Sequence, residues 1–187
     1  MQRKLWLELS GDWSRSHEEL LIHAASMGLT TCNHVGLFLV DKTENLWSRL
    51  PHTTRWLQDR GWQPQGLYWI AMCRTGNVHI DESLHKSARI NFPVTNCDRS
   101  RTTYHELSEK RTRVVTPNKI IYHHQEETRV IDGVTLTRPT ILDVSWPHRV
   151  ETWLEPGQMR VAASIMVFPN AGYLLNHSSP NQDHTDG

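Results

Sequence analysis

The sequence predicts a mainly β protein in which one or two helices near the N-terminus pack on a sheet. Its 187 residues are enough for one domain with a core of its own. From Gln65 onward, short β-branched and aromatic runs alternate with turn residues, whereas helical periodicity is confined to the first sixty residues. We therefore expect a single domain over 1–175. The segment 176–187 lacks apolar residues, and we expect it to be a disordered polar tail.

The N-terminal part mixes helix and strand. Ser16 and Glu19 have the spacing of a capping box, and Gly28 is a typical helix-ending residue, so this stretch predicts a helix. Trp56 and Leu57 before a glycine suggest a second, short helix. The elements predicted here are a strand at Lys4–Leu9, a helix at Ser16–Gly28, a strand at Val35–Val40 and a helix at Thr54–Arg60.

The rest of the chain predicts short strands spaced as in an all-β sandwich or barrel. Asp132-Gly133 between two β-branched runs is a two-residue hairpin signal. Many short strands without helices favour a jelly roll, which is a double-stranded β-helix. The predicted strands are Leu67–Cys73, Val78–Asp81, Ala88–Val94, Thr102–Leu107, Arg113–Thr116, Lys119–His124, Thr128–Ile131, Val134–Thr137, Thr140–Val144, Arg149–Thr152 and Arg160–Phe168.

The composition argues against two classes of partner. Twenty Lys and Arg residues balance twenty Asp and Glu residues, and no basic run stands out, which argues against a nucleic-acid partner. A mean hydropathy of -0.55 without a long apolar run argues against a membrane span. We identify no secretion signal, and the three cysteines, Cys32, Cys73 and Cys97, are widely spaced, so we expect free, buried thiols in a cytoplasmic protein.

The chain has twelve histidines, and the compact pattern to look for is His-x-Asp/Glu, which places an imidazole and a carboxylate on one face of a strand. The first of four copies lies in a predicted helical turn and the last in the polar tail, which leaves two pairs in the β region. The four pairs are His17/Glu19, His79/Asp81, His124/Glu126 and His184/Asp186.

Neighbouring residues favour the pair His79/Asp81. It ends a short strand that leads into a polar loop, where a β-sandwich commonly holds ligands. His148 follows Pro147 at another strand edge, and Arg160 begins an otherwise apolar strand, where a guanidinium requires a carboxylate or phosphate partner. Two imidazoles and one carboxylate form the facial set that holds Fe(II) with open positions.

These residues, in order, resemble a known family. The segments His79-Ile-Asp81, Ala88–Cys97, Pro147-His148 and Arg160 are similar to the non-haem Fe(II)/2-oxoglutarate-dependent oxygenases, in the branch related to aspartyl/asparaginyl β-hydroxylases. The resemblance covers Trp69–Phe168. It implies that iron is bound by His79, Asp81 and His148, and that 2-oxoglutarate is held by Arg160, Arg89, Asn91 and Ser164. Where the family often has a serine two residues after the arginine, this chain has Ala162.

The resemblance implies a hydroxylase that uses Fe(II), 2-oxoglutarate and O2, releases succinate and CO2, and acts on a small molecule or an amino-acid or peptide side chain. Two alternatives remain open at this point: a cupin-like metal-binding protein that does not use 2-oxoglutarate, and a non-catalytic β-sandwich interaction module. Arg160 has a structural alternative as well, a salt bridge to Glu151 or Glu155 at the end of the sheet. The substrate, the oligomeric state and the role of residues 1–60 stay open, as does the question of which carboxylate of 2-oxoglutarate Arg160 or Arg89 would anchor.

Overall fold

The computed structural model describes residues 4–31, 36–81, 88–107, 113–116, 119–122 and 128–177. The chain is mainly β, with two antiparallel six-stranded sheets and a few short helices, as the sequence predicts. No helix in these ranges is long and apolar enough to cross a membrane. The elements are β1 Trp6–Glu8, α1 Ser14–Ser26, β2 Gly36–Val40, α2 Leu46–Arg49, α3 Pro51–Gln58, β3 Gln63–Met72, β4 His79–Asp81, β5 Ala88–Thr95, a 3-10 turn Cys97–Arg99, β6 Ser100–Leu107, β7 Arg113–Thr116, β8 Lys119–Tyr122, β9 Thr128–Val134, β10 Thr140–Asp143, β11 His148–Thr152, β12 Arg160–Phe168 and α4 Tyr173–His177.

The two sheets have different strand orders. Sheet A has the order β1-β10-β5-β12-β3-β2, and sheet B has the order β7-β8-β4-β11-β6-β9. In sheet A, β12 pairs with β5 on one side and β3 on the other, so that Ser164 lies opposite both Asn91 and Tyr68. Because side chains alternate between the two faces of a strand, these three residues share one face of sheet A.

The other face of sheet A carries the main apolar core. Helices α1 and α3 pack on it through Leu20, Ala24 and Leu57, and the Trp56 ring contacts the Phe92 ring edge-on at a centroid distance of 5.2 Å. This outer face of sheet A contains Leu67, Trp69, Ala71, Ile90, Phe92, Ile141, Val161, Ala163 and Ile165. The expected packing of N-terminal helices on a sheet is therefore present.

Asp41 connects helix α1 to sheet A through hydrogen bonds to both. The carboxylate accepts hydrogen bonds from the Trp69 indole nitrogen at 2.8 Å, from His23 Nε2 on α1 at 2.8 Å and from the Thr43 backbone N–H at 2.9 Å. Burial alone would raise the pKa of Asp41, but these hydrogen bonds more than offset that effect, so the pKa lies below its ordinary value.

The inner face of sheet A lies against sheet B. A small apolar cluster joins the two sheets and includes Ala162 of β12, Leu142 of β10 and Val134 of β9. Arg160 Nε of sheet A donates a hydrogen bond to Ser100 Oγ of sheet B at 3.0 Å. The space between the sheets is therefore lined by both apolar and charged side chains.

The predicted capping box is wrong. Helix α1 begins at Ser14, whose N–H is bound by Asp12 Oδ1 at 2.9 Å, so Ser16 lies inside the helix. The Glu19 carboxylate instead accepts the backbone N–H groups of His52 and Thr53, at 2.7 and 2.8 Å, in the first turn of α3. The capping-box pattern assigns the Glu19 side chain to its own helix, but in the structure it binds a helix that is distant in the sequence.

The predicted hairpin at Asp132-Gly133 is also wrong. Strand β9 continues through both residues and pairs with β6. A β-bulge occurs there, because Tyr104 lies opposite Asp132 and the next residue, His105, lies opposite Val130. A Cβ atom on Gly133 would lie 2.9 Å from the carbonyl oxygen of Thr102, so this glycine permits a close approach between strands.

The predicted strand Val134–Thr137 is wrong, because β9 ends at Val134 and the next strand begins at Thr140. The other strand predictions hold with shifts of a few residues at their ends, and α1 ends before Gly28, which has a φ of +72°. Cys73 and Cys97 are free, as expected, but only Cys97 is buried. Cys32, the His124/Glu126 and His184/Asp186 pairs, and residues 178–187 of the predicted tail lie outside the described residues, whereas Asn176 and His177 belong to α4.

Candidate metal centre

His79, Asp81 and His148 come together at one end of the space between the sheets. One ligand atom from each lies within 4.8 Å of the others. The antiparallel pairing of β4 with β11 places His79 directly opposite His148. Asp81, two residues after His79, lies on the same face of β4. The pairing register thus brings together three residues that are up to 69 positions apart in the sequence.

Backbone carbonyl groups orient both imidazoles. His79 Nδ1 lies 2.9 Å from the Asn77 carbonyl oxygen, and His148 Nδ1 lies 2.8 Å from the Trp146 carbonyl oxygen. A carbonyl only accepts hydrogen bonds, so each Nδ1 carries the hydrogen and each neutral ring has its lone pair on Nε2. His79 Nε2 lies 3.5 Å from Asp81 Oδ1. This orientation by a second partner is typical of metal-binding histidines.

A tight turn between β10 and β11 positions His148. Asp143 Oδ1 accepts the N–H of Ser145 at 3.1 Å and its hydroxyl at 2.6 Å. The turn places the Trp146 carbonyl where His148 can donate to it. The Asp143 N–H donates to the Leu5 carbonyl at 2.9 Å, so the N-terminal segment supports the same turn.

The Tyr104 ring packs beside the His148 ring. Its ring centroid lies 6.1 Å from that of His148, and its hydroxyl donates to the Leu5 carbonyl at 2.8 Å. Burial, reinforced by the Asp143 carboxylate, raises the pKa of Tyr104 well above its ordinary value. Tyr104 is therefore neutral near pH 7, and its hydroxyl is held by the Leu5 carbonyl.

His105, the next residue on β6, does not join the cluster. Its ring contacts the hydroxyl groups of Thr103 at 3.0 Å and Thr128 at 2.9 Å. Burial, together with the positive charge of Arg149, lowers the pKa of His105 to about 4. Because neighbouring residues of a strand point to opposite faces, Tyr104 and His148 share one face and His105 occupies the other.

Arg160 is a buried cation without a carboxylate partner in the described part of the chain. It is 2% exposed, and its Nη1 has no hydrogen-bond partner among the described residues. The predicted structural alternative is wrong, because Glu151 pairs with Arg149 and Glu155 lies 4.0 Å from Arg99. A buried guanidinium is stable only if an anion or several acceptors compensate it. The site therefore suits an anionic ligand.

The other residues expected to hold a cosubstrate share the inner face of sheet A with Arg160. Arg89, Asn91 and Ser164 are all buried, and Asn91 Oδ1 has no hydrogen-bond partner in the described ranges. The Arg89 guanidinium lies over the Tyr68 ring, 4.2 Å from its centroid. The side chains thus form a polar surface that faces sheet B.

Arg160 and Arg89 mark opposite ends of this surface. The Asp81 N–H donates to the Val144 carbonyl at 3.1 Å. Val144 directly follows β10, the strand that pairs with β5 at Arg89. The candidate metal ligands therefore lie at the Arg89 end. Arg160 bonds to Ser100, which lies four residues, about 13 Å, along β6 from Tyr104 beside His148. An anion on Arg160 would therefore be held at a distance from the metal.

Sequence reasoning missed several residues that shape this site. Ser100 accepts the Arg160 hydrogen bond, and Asp143 organises the turn before His148. Thr102 lies between Ser100 and Tyr104, and its buried hydroxyl has no hydrogen-bond partner among the described residues. Ser100 and Thr102 carry no local signal, because their positions matter only once the two sheets pack. Asp143 does have one, since an aspartate two residues before a serine is typical of an Asx-turn.

A comparison with known protein families finds no match, and none of the curated proteins matches the chain. The functional interpretation therefore depends on the geometry of the site and on the resemblance of its residues to the oxygenase pattern.

Proposed function

We propose that the protein is an Fe(II)/2-oxoglutarate-dependent oxygenase with a jelly-roll fold, which hydroxylates a C–H bond of a small molecule or an amino-acid side chain. The observation that carries the proposal is the convergence of His79, Asp81 and His148 at one end of a space. Its other end holds the buried Arg160, which has no carboxylate partner among the described residues. The two facing antiparallel six-stranded sheets support the jelly-roll assignment.

The donor set fits Fe(II). Two neutral imidazoles and one carboxylate would hold Fe(II) and would leave positions open for a chelating cosubstrate and for O2. The Asn77 and Trp146 carbonyls fix each ring so that Nε2 faces the ligand position. Loss of such supporting contacts commonly reduces metal affinity by about 10- to 100-fold, so they are part of the site.

The surrounding residues fit a dicarboxylate. When bound, Fe(II) and 2-oxoglutarate would supply the oxidising chemistry, in which 2-oxoglutarate and O2 are consumed, succinate and CO2 are released and a substrate C–H bond is hydroxylated. Arg160 would bind the carboxylate farther from the metal, with Ser100 holding the guanidinium in place. Asn91 and Ser164 lie between Arg160 and the metal end of the same face, where they would contact the cosubstrate.

The charges also balance in this arrangement. Asp81 and a dianionic cosubstrate contribute three negative charges, and a divalent metal and Arg160 contribute three positive ones. The buried Asp143 and Arg89 add one charge of each sign. A neutral sum matters because isolated charges are costly in a poorly hydrated space. Arg89 lies at the metal end, which favours a role near the chelating end of the cosubstrate and leaves the distal carboxylate to Arg160.

The direct test is an anaerobic titration with Fe(II) and 2-oxoglutarate. We expect a weak metal-to-ligand charge-transfer band in the visible region for the wild-type protein. His148→Ala should abolish the band and weaken Fe(II) binding by more than about 100-fold, because a direct ligand matters more than a supporting contact. His52→Ala, at an exposed residue of α3, is the matched control and should leave the band unchanged. A wild-type protein without the band, or a band that survives His148→Ala, contradicts the proposal.

Arg160 distinguishes an oxygenase from a cupin-like metal protein that does not use 2-oxoglutarate. We expect Arg160→Met to keep Fe(II) affinity while weakening 2-oxoglutarate binding by about 100-fold, since it removes one partner of a buried charge pair. Equilibrium titrations of each ligand measure both quantities. If metal binding survives but wild type and Arg160→Met respond to 2-oxoglutarate alike, the cupin-like alternative is favoured. A wild-type protein that binds neither ligand fits the non-catalytic module.

A further inference from the structure

Thr102 lies on the face of sheet B that is turned toward Arg160, and it is neither a candidate metal ligand nor one of the residues expected to hold the cosubstrate. It lies on β6, it is 2% exposed, and its Oγ1 has no hydrogen-bond partner in the described part of the chain. Its neighbours across the sheet are apolar, with Val150 opposite on β11 and Val134 opposite on β9. A valine would fit these neighbours without a buried, unsatisfied hydroxyl.

The position of Thr102 connects the two ends of the site. Ser100, Thr102 and Tyr104 alternate onto the same face of β6, and each is about 7 Å from the next. Ser100 accepts the Arg160 hydrogen bond, and Tyr104 lies against His148. Thr102 is therefore halfway between the buried guanidinium and the metal ligands, on the sheet that faces Arg160.

On the facing sheet, the residue two positions after Arg160 on β12 is an alanine, which has no hydroxyl. This residue, Ala162, is buried in the apolar cluster that also contains Val134, the residue opposite Thr102. A carboxylate has more lone pairs than one guanidinium can satisfy. A second donor near Arg160 would satisfy the remaining lone pairs. Thr102 is two residues from Ser100 on the same face of β6, and its buried hydroxyl has no hydrogen-bond partner among the described residues.

We infer that Thr102 is a further ligand-binding residue, whose hydroxyl donates a hydrogen bond to the same carboxylate that Arg160 holds. The inference rests on the proposed function, because the carboxylate is the distal one of a 2-oxo diacid. Thr102, from sheet B, thereby supplies the hydroxyl that Ala162 does not provide from sheet A. Hydrogen bonds from both sheets to one carboxylate would favour ligands that carry a distal carboxylate.

The test compares wild type with Thr102→Val and Thr102→Ser, using anaerobic titrations of Fe(II) alone and of 2-oxoglutarate with Fe(II) present. We expect Thr102→Val to weaken 2-oxoglutarate binding by about 10-fold while Fe(II) affinity stays constant, because one hydrogen bond to a charged group is lost. Thr102→Ser keeps the hydroxyl and should bind 2-oxoglutarate nearly as well as wild type. Without ligands, Thr102→Val should melt at the wild-type temperature or higher.

Combining Thr102→Val with Arg160→Met sharpens the test. If both side chains bind one carboxylate, the Thr102→Val penalty should shrink when Arg160 is absent. Equal 2-oxoglutarate affinity in wild type and Thr102→Val would overturn the inference and leave the proposed function intact. A clearly lower melting temperature of ligand-free Thr102→Val would overturn it too, since the hydroxyl would then be structural. A wild-type protein that does not bind 2-oxoglutarate would overturn both proposals.

Discussion

The two faces of sheet A differ in how their buried polar groups are satisfied. On the outer face, the buried carboxylate of Asp41 receives hydrogen bonds from three residues, and the remaining surface is apolar. On the inner face, Asn91 and Arg160 keep buried polar atoms without hydrogen-bond partners in the described ranges. An unsatisfied buried polar group destabilises the folded state. The inner face therefore lowers the stability of the protein, and the apolar packing of the outer face offsets this loss.

Two neighbouring residues of β5 show this difference between the faces. On β5, Phe92 points outward to the rings of Trp13 and Trp56, and Asn91 points inward between Ser164 and Thr140. Substitutions on the outer face should therefore reduce stability and spare ligand binding. Substitutions on the inner face should do the reverse, which makes the difference between the faces measurable.

The largest expected effect is that of Phe92→Ala. Its ring is fully buried, and truncating a buried phenylalanine costs about 3–5 kcal/mol in unfolding free energy. Urea denaturation measures the loss. The milder Phe92→Leu should remain folded and bind Fe(II) and 2-oxoglutarate as wild type does. A folded Phe92→Leu protein with weakened ligand binding would show that the two faces are not independent.

Asp41→Asn should have an intermediate effect that depends on pH. The pKa of Asp41 is lowered because its hydrogen bonds outweigh the effect of burial, so the folded state favours the charged form. This contribution is fully present above the unfolded pKa of about 3.9 and is lost as pH falls through the lower, folded value. We expect Asp41→Asn to reduce the unfolding free energy at pH 7 by about 1–3 kcal/mol.

The pH profile provides the control for Asp41. Urea denaturation between pH 3 and pH 8 should show that the difference between wild type and Asp41→Asn begins to shrink at the acid end. There the unfolded wild-type protein binds a proton on Asp41, which folding must release. Parallel profiles over the whole range would mean that the charge of Asp41 does not contribute to stability.

The sequence predicts much of this fold because local patterns decide it. The apolar run of β12 and the turn residues around most strands need no knowledge of the tertiary structure. Two local signals mislead for a physical reason. The Asp132-Gly133 pair also suits a strand that passes close to its neighbour, and Glu19 binds another helix. In each case a tertiary contact competes with the local pattern.

The candidate site divides in the same way. Residue types, their order and the resemblance to the oxygenases predict His79, Asp81, His148 and Arg160 as candidates, since metal and anion chemistry demands particular side chains. The sequence does not reveal the carbonyls that orient the two rings, because any residue offers a carbonyl. Ser100 is equally hidden, because its contact with Arg160 requires the packing of two sheets.

The smallest expected effect on stability is that of Asn91→Leu. The variant replaces a buried group that lacks a hydrogen-bond partner in the described residues with an apolar side chain of similar size, so the unfolding free energy should stay constant or rise by about 1 kcal/mol or less. Binding of 2-oxoglutarate should weaken by about 10-fold, because one contact to a charged ligand is lost.

Ile90→Val is the matched control for Asn91→Leu, because Ile90 is the neighbouring residue on β5 and points to the outer face. It should lower the unfolding free energy by about 0.5–1.5 kcal/mol and leave 2-oxoglutarate affinity unchanged. Urea denaturation measures the stability of both variants, and anaerobic titration measures their 2-oxoglutarate affinity. Asn91→Leu should keep its stability and lose affinity, whereas Ile90→Val should lose stability and keep its affinity. If Asn91→Leu loses stability as Ile90→Val does and keeps its affinity, Asn91 belongs to the structural core, and the inner face is not specialised for a ligand at this position.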